Sequence, residues 1–273
     1  MTDICFAIPA FNESAGIGGF LTELDDAFHG WDGNVMIEVV DDASTDGMSA
    51  VLADLGPSMQ AKLRVQVNEQ NLGHGPTVLR AYRNAIASGA AIIVQIDGDG
   101  QFEVTDIRRL ADRLLPEDVD LVVGVRWFRL DPWFRRLLTR ALRVYLRLFF
   151  PVEVRDVNSP LRGYRAGTLE QLLSLVPDPS RVPNVYLTVA AAQYGIRTDQ
   201  IDVEHRVRRG GNEQGTMWGP KVRTVLVPRR LLRFVAESFV ESTGFMWRAR
   251  RFTPGMIRRS PPTDTRTSVS SDT

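Results

Sequence analysis

The sequence predicts an α/β protein built on a mostly parallel central sheet flanked by helices. Three observations carry that prediction. Short apolar, β-rich runs recur through the first 125 residues, amphipathic stretches of helical length separate them, and polar clusters follow directly on the apolar runs. Such alternation demands crossover connections between parallel strands, and therefore a sheet covered on both faces.

Taken in order, residues 4–9, 36–40, 63–67, 91–96 and 121–125 have the length and apolar content of strands. Residues 15–28, 48–55, 76–87 and 106–115 between them are amphipathic and predict helices, which gives βαβαβαβαβ. Beyond Val125 the texture turns Arg-rich. A turn-rich segment over 156–165, a helical pair near 168–176 and 185–194, and a strand over 198–203 are expected there. From Ser260 onward the chain is Ser, Thr, Pro and Asp with few apolar residues, too little to repay ordering entropy, so a disordered tail over 260–273 is expected. No internal repeat is present.

The composition is ordinary for a chain of 273 residues, 44% hydrophobic and 24% charged, with material for a substantial core. Cys5 is the single cysteine and has no internal partner, which predicts a reducing, cytoplasmic setting. The first residues lack the basic and apolar regions of a signal peptide. The most apolar helical candidates, 137–150 and 225–245, are broken by Arg143, Arg147, Arg233 and Glu237, so any membrane contact is expected to be peripheral. Net charge is formally zero, yet residues 1–120 hold 20 acidic and 7 basic side chains while the remainder holds 13 and 26. Opposite charge on the two halves points to a charged partner or substrate.

In an open parallel sheet, ligands bind outside the carboxyl ends of the strands. There the sequence places Pro9 to Glu13, Asp41 to Asp46, Asn68 to Gly75 and Asp97 to Gln101. Asp97 and Asp99 are two carboxylates one residue apart at the end of a buried run. That arrangement is costly unless a cation binds it, and Mg²⁺ or Mn²⁺ takes one or two carboxylates while keeping positions for phosphate oxygens. Gly98 and Gly100 keep the backbone open to a ligand, although Asp-Gly pairs are also ordinary turn chemistry. Asp42 ends a second strand, where acidic residues accept hydrogen bonds from a ribose or base edge. Ser44 or Asp46 can instead cap the following helix. There is no GxxxxGK[ST] loop, no GxGxxG and no GxSxG elbow, and His29, His74 and His205 are scattered. P-loop NTPases, standard dinucleotide binders, α/β-hydrolases and zinc hydrolases are thereby unsupported.

The ordered set Ile8-Pro9-Ala10-Phe11-Asn12-Glu13, Val40 to Gly47, Asn71-Leu72-Gly73-His74-Gly75 and Asp97-Gly98-Asp99-Gly100-Gln101 resembles family 2 glycosyltransferases with the GT-A fold. Gly124-Val125-Arg126, Asp156 to Arg165 and His205 to Gly211 extend the likeness to the polyprenyl-phosphate branch exemplified by dolichol-phosphate mannose synthase. The resemblance implies an inverting transfer of a sugar from a nucleotide-diphosphate sugar, GDP-mannose or UDP-hexose, to a polyprenyl-phosphate-like lipid. It implies that Pro9, Phe11, Glu13, Val40 and Asp42 hold the nucleoside and that Asp97 and Gly98 face the donor. Asp99 and Gln101 would ligate Mg²⁺ or Mn²⁺, and Arg126 and Arg208 would neutralise phosphate. Asp156 would orient the acceptor or act as a base, against the structural alternatives of helix capping or an ion pair with Arg162. Asp97, Asp99, Asp156 and Arg208 are thus the implied catalytic set. Two runs depart from the family pattern: Ser159-Pro160-Leu161-Arg162 replaces Ser-Gly-Phe-Arg, and Gly211-Asn212-Glu213-Gln214 lacks the usual lysine, for which Lys221 or Arg209 is the nearest substitute.

The implied organisation is a GT-A domain over 1–215, with a nucleotide-sugar half 1–125 and an acceptor half 126–215, followed by a basic amphipathic extension over 216–259. Arg136, Arg140, Arg143 and Arg147 repeat at helical spacing opposite Phe134, Leu137, Leu138, Ala141, Tyr145 and Leu148. Such a helix either packs on the sheet with a solvated basic face or lies in an anionic membrane interface, close to a lipid phosphate. No RNA- or DNA-binding motif accompanies these arginines, so a nucleic-acid partner is not expected. The competing functional readings are transfer to a soluble sugar or natural-product hydroxyl, and a non-catalytic sugar-nucleotide-binding protein.

Overall fold

The computed structural model describes residues 1–126, 144–148, 150–206, 208 and 245. Its elements run β1 (Ile4–Ala10), α1 (Ile17–Ala27), β2 (Val35–Asp41), α2 (Met48–Ala53), α3 (Pro57–Gln60), β3 (Leu63–Val67), α4 (His74–Ala87), β4 (Ile92–Gln95), α5 (Val104–Arg113), β5 (Leu121–Arg126), β6 (Arg162–Arg165), α6 (Ala166–Leu173), α7 (Pro183–Tyr194) and β7 (Thr198–Val203). The strands form one sheet in the order β3-β2-β1-β4-β6-β5-β7. β3, β2, β1 and β4 are mutually parallel, and β5 is parallel to β7.

The central strand explains why helices cover both faces. Every residue of β1 is buried. Its side chains alternate by the period of two that a pleated strand imposes: Cys5 and Ala7 join the layer of Val78, Leu79 and Tyr82, while Ile4, Phe6 and Ile8 join the layer of Phe20, Leu21 and Leu24. Phe6 meets Phe28 edge-on with ring centroids 4.8 Å apart, and Arg108 lies over both Phe28 and Trp31. Each such large apolar side chain contributes about 1.5–3 kcal/mol through burial. α7 is buried around almost its whole circumference, starts with Pro183 in its first turn and stops at the left-handed Gly195.

One expectation is corrected. The segment over 156–165 does not remain a turn: its last four residues form β6, wedged between β4 and β5 and antiparallel to both. Two arginines in a four-residue strand disguise it, because charged residues signal exposure in a pattern reading. Arg162 is nevertheless fully buried. The parallel sheet is therefore interrupted once, and residues 156–161 are brought to the carboxyl end of β4, where Gln95 and Arg162 stand opposite each other in register. The single-turn α3, with Pro57 in its first turn, was also not foreseen.

The basic amphipathic helix expected over 134–150 lies outside the described residues except for its last part. Residues 144–148 are helical, with Leu146 buried and Val144 and Leu148 exposed. The extension over 216–259 likewise lies outside them save for Phe245, which packs on Tyr186 at 4.6 Å, and so does the tail over 260–273. Among the described residues no helix is long and apolar enough to cross a membrane.

Candidate functional site

The ends of β1 and β2 are stitched into one rim. Asn12 and Ala43 both adopt left-handed backbone, φ 55° and 60°, which reverses the chain as it leaves each strand. Asn12 N donates to Ser44 Oγ at 2.9 Å and Asn12 Oδ1 accepts from Thr45 N at 2.8 Å. Asp46 accepts from Ser14 N across the rim and from Met48 N at the start of α2, while Asp41 accepts from Ser44 N and Ser49 Oγ. Ser44, Asp46 and Asp41 are thus scaffold; the cap of α2 is Gly47, and Asp46, expected as a cap, instead stands one residue before it and holds Met48 N. Pro9 is buried and Phe11 half-buried at this rim, and Val40 is fully buried in the core, so only the main chain of Val40 can meet a ligand.

Asp42 anchors the neighbouring loop. Its Oδ1 accepts from Asn68 Nδ2 at 2.7 Å and Leu72 N at 2.8 Å, and its Oδ2 accepts from Gly73 N at 2.8 Å. From the other side the main chain at Ser180 and Arg181 presses on Gly75, where an added Cβ would lie 2.0 Å from Ser180 O. The loop is therefore fixed at both ends, and it presents His74 with Nε2 3.9 Å from Asp97 Oδ1.

The carboxylate pair follows β4. A Cβ added at Gly98 would meet Ala10 Cβ at 3.1 Å and the side chains of Ile8 and Ile17 at 3.4 and 3.5 Å, so packing beneath the site leaves a larger residue little room. Asp97 stays partly exposed and accepts from Gln95 Nε2 at 3.2 Å. Asp99 is 6% exposed and accepts from Gln101 N at 3.1 Å. Residues after β7 return to this point: Arg206 N donates to Gln101 O and Gln101 Nε2 donates to Arg206 O, both at 2.8 Å, and His205 meets Phe102 edge-on. That pairing delivers Arg208, whose Nη2 lies 2.9 Å from Glu13 Oε1 and 3.5 Å from Asp99 Oδ2.

The electrostatics are those of crowded acid. Burial pushes the Glu13 carboxyl up to about 8, against the opposing pull of Arg208. Burial, and then the neighbouring Asp97, pushes Asp99 up to about 6, with Arg208 opposing. Hard oxygen donors that resist ionising together fit a divalent cation. Asp97 and Asp99 supply carboxylates, and Gln101, whose amide N–H is engaged, retains Oε1 as its metal-capable atom. Among the described residues no group of three or more His, Cys, Asp and Glu side chains gathers into a metal cage, so such an ion would keep positions for water or phosphate.

At the end of β5, Arg126 is joined to Asp156. Arg126 Nε donates to Asp156 Oδ2 at 2.7 Å and Nη2 to Oδ1 at 3.1 Å. The alternative that paired Asp156 with Arg162 is overturned, because Arg162 turns inward and donates to Ser159 O, Val157 O and Thr188 Oγ1. The site thus brings together Glu13, Asp97, Asp99, Gln101 and Arg208, while Asp42 and the Arg126–Asp156 pair are committed to protein partners. Sequence reasoning missed Asn68, which shares Asp42, and His74 as a neighbour of Asp97. It also missed Gln95, whose signal was a lone amide inside an otherwise apolar run.

A family model described as Glycosyl transferase family 2 matches residues 5–173. Over 213 residues the chain is 28% identical to Glycosyltransferase AglJ of Haloferax volcanii, covering 77% of this chain and 65% of that protein. It is 26% identical over 210 residues to the polyprenol monophosphomannose synthase of Mycolicibacterium smegmatis, covering 75% and 77%. With the undecaprenyl-phosphate 4-deoxy-4-formamido-L-arabinose transferase of Aeromonas hydrophila it shares 23% over 249 residues, covering 89% and 73%. The chain therefore spans about two thirds to three quarters of the length of these curated relatives. Among solved structures, glucosyl-3-phosphoglycerate synthase from Mycobacterium tuberculosis in complex with Mn²⁺, UDP-glucose and phosphoglyceric acid superposes with a TM-score of 0.63 at 19% identity, covering 90% of this chain and 80% of that one. At that identity the likeness establishes the shared fold, which is of the GT-A type.

Proposed function

Because the chain belongs to glycosyl transferase family 2, we propose that its strand-end crevice transfers a sugar from a nucleotide-diphosphate sugar to a polyprenyl-phosphate-like lipid. The observation that carries this reading is the meeting of Asp97, Asp99, Glu13 and Arg208 at one point, acid for a metal and a cation for phosphate. The names of the curated relatives, a polyprenol monophosphomannose synthase and an undecaprenyl-phosphate sugar transferase, support the acceptor class.

Pro9, Phe11 and the main chain at Val40 line the nucleoside end, and Asp42 orders the loop beside it. Asp97 contacts the donor sugar or ribose. Asp99 and Gln101 would hold Mg²⁺ or Mn²⁺, which would supply Lewis-acid neutralisation of the leaving diphosphate. Arg208, held between Glu13 and Asp99, is the cation that would meet the phosphate oxygens of the donor and stabilise charge where it develops. A lipid phosphate is already anionic at neutral pH and needs no strong base, so Asp156 acts by holding Arg126 at the acceptor side. The protein works at the cytoplasmic membrane face as a peripheral enzyme.

A thermal-shift panel of UDP-, GDP- and dTDP-sugars with Mn²⁺, followed by radiolabelled transfer to polyprenyl phosphate in anionic vesicles, tests the proposal. A donor that binds the folded state raises its apparent melting temperature. Labelled lipid is the expected product. Transfer only to soluble sugars or hydroxyl acceptors would replace the lipid assignment, and inertness with every donor would leave a non-catalytic protein.

A further inference from the structure

Beneath the carboxylate pair runs a buried chain of amides that the proposed chemistry does not use. Gln95 and Asn184 are 0% and 3% exposed. Gln95, on β4, donates from Nε2 to Asp97 Oδ1 at 3.2 Å, and its Oε1 accepts from Asn184 Nδ2 at 3.0 Å. Asn184, in the first turn of α7, also donates from Nδ2 to Ser159 O at 3.2 Å, and its Oδ1 accepts from Tyr82 OH at 3.0 Å.

The direction of this chain is forced. A main-chain carbonyl only accepts, so Ser159 O requires the nitrogen of Asn184 on its side. That choice places Asn184 Oδ1 toward Tyr82 OH, whose single proton reaches either Asn184 Oδ1 at 3.0 Å or Gln95 Oε1 at 3.2 Å, and leaves the second Nδ2 proton for Gln95. Gln95 must therefore present oxygen to Asn184 and nitrogen to Asp97. Arg162 locks the starting point, since its Nε donates to Ser159 O at 2.7 Å and its Nη1 to Thr188 Oγ1, one turn along α7 from Asn184. A polarity set by the loop that follows Asp156 is thus read out at Asp97.

We infer that Gln95 is a positioning residue for the donor site: its amide, polarised by Asn184 and Ser159 O, holds Oδ1 of Asp97 and leaves Oδ2 as the oxygen that meets the donor. The inference rests on the proposed role of Asp97 as a donor contact. A carboxylate at a strand end, free to turn about Cα–Cβ and Cβ–Cγ, otherwise samples several orientations, and a misplacement of about 1 Å costs on the order of 100-fold in rate. Buried amide networks of this kind fix one arrangement because every alternative strands a polar group.

A double-mutant cycle tests it. Gln95→Leu, Asp97→Asn and the double variant are compared in kcat and in KM for whichever of UDP-glucose or GDP-mannose shifts the melting temperature of the wild-type protein with Mn²⁺. Gln95→Leu is expected to lower kcat/KM for donor roughly 10- to 100-fold, and to change it less than about twofold once Asp97 is Asn, because residues that act through one another are not additive. If Gln95→Leu does not give folded protein, Gln95→Met keeps the length and nearly the volume while removing the donor to Asp97 without adding charge, and it carries the same cycle. Equal losses with and without the Asp97 carboxylate would make Gln95 merely structural and overturn the inference, as would unchanged kinetics in a folded variant. Failure of every nucleotide sugar to bind the wild-type protein would instead remove the proposed function, and this inference with it.

Discussion

The guanidinium of Arg208 lies 2.9 Å from the carboxylate of Glu13, which joins the residue that follows β7 to the residue that follows β1. The pair leaves acid in excess, because Asp99 shares the same arginine.

That excess gives ligand-free stability a pH dependence of definite sign. Burial raises Glu13 to about 8 and Asp99 to about 6. Both values lie above those of the unfolded chain, so the folded state holds protons that unfolding releases, and stability falls as pH rises. The contribution is complete below about pH 4 and is lost through the two folded values. Melting temperature without ligand is expected to decline from about pH 5 to about pH 8.5, each kcal/mol lost lowering it by about 2–4 °C. Glu13→Gln should abolish the decline between about pH 6 and 8 and roughly halve its slope below pH 6, where Asp99 alone still contributes. Scanning calorimetry at constant ionic strength checks it, and a profile indifferent to Glu13→Gln would refute the assignment.

Asp99→Ala removes the more buried of the two carboxylates and, by the proposed reading, the firmer metal ligand. Loss of a group that stabilises developing charge lowers turnover by roughly 100- to 1000-fold. Single-turnover transfer at saturating donor and Mn²⁺ is the measurement. Near-normal turnover would move the metal away from Asp99.

Much of the site was legible from the chain alone. The strand expected over 63–67 is β3 and that over 198–203 is β7, because in both the length and the flanking turns agree. The Asp97–Asp99 pair stood out as two charges directly after a run that is apolar but for Gln95. What stayed hidden was partnership across distance. Asn68 and Asp42, or Arg126 and Asp156, meet only because the sheet order brings their strands together, and no local spacing encodes that. β6 was hidden for a second reason: Arg162 is buried by bonds to main-chain oxygens of a loop whose shape is itself a tertiary result.

Asp156→Ala separates a structural from a chemical role for this carboxylate in the proposed transfer. The side chains of Arg126 and Asp156 are 11% and 4% exposed, and removing one partner of a buried pair costs roughly 3–5 kcal/mol. Asp156→Asn keeps the shape and one acceptor oxygen, and it is expected to retain most transfer to a lipid phosphate while lowering the melting temperature. Parallel melting and transfer assays decide it, since a general base would lose turnover in both variants alike.

Two glycines provide opposite outcomes from the same substitution. At Gly75 an added Cβ would meet Ser180 O at 2.0 Å and Arg181 C at 2.8 Å, both main-chain atoms that cannot rotate aside. Gly75→Ala must therefore displace α4 from the 180–181 segment, at an overpacking cost of about 1–3 kcal/mol. Because Asp42 grips Leu72 and Gly73 in the same loop, the displacement also reaches the rim of the strand-end crevice, and by the proposed function weaker donor binding is expected alongside the lower melting temperature. At Gly19, inside α1, nothing lies within 4 Å of the added atom. Gly19→Ala only restricts the unfolded chain and improves helix propensity, a gain of about 0.5–1 kcal/mol. Denaturant melts of both variants, with donor titrations on each, test the pair. A destabilised Gly19→Ala would mean that α1 packs against something more, and an unchanged Gly75→Ala would mean that the loop carrying His74 is not clamped.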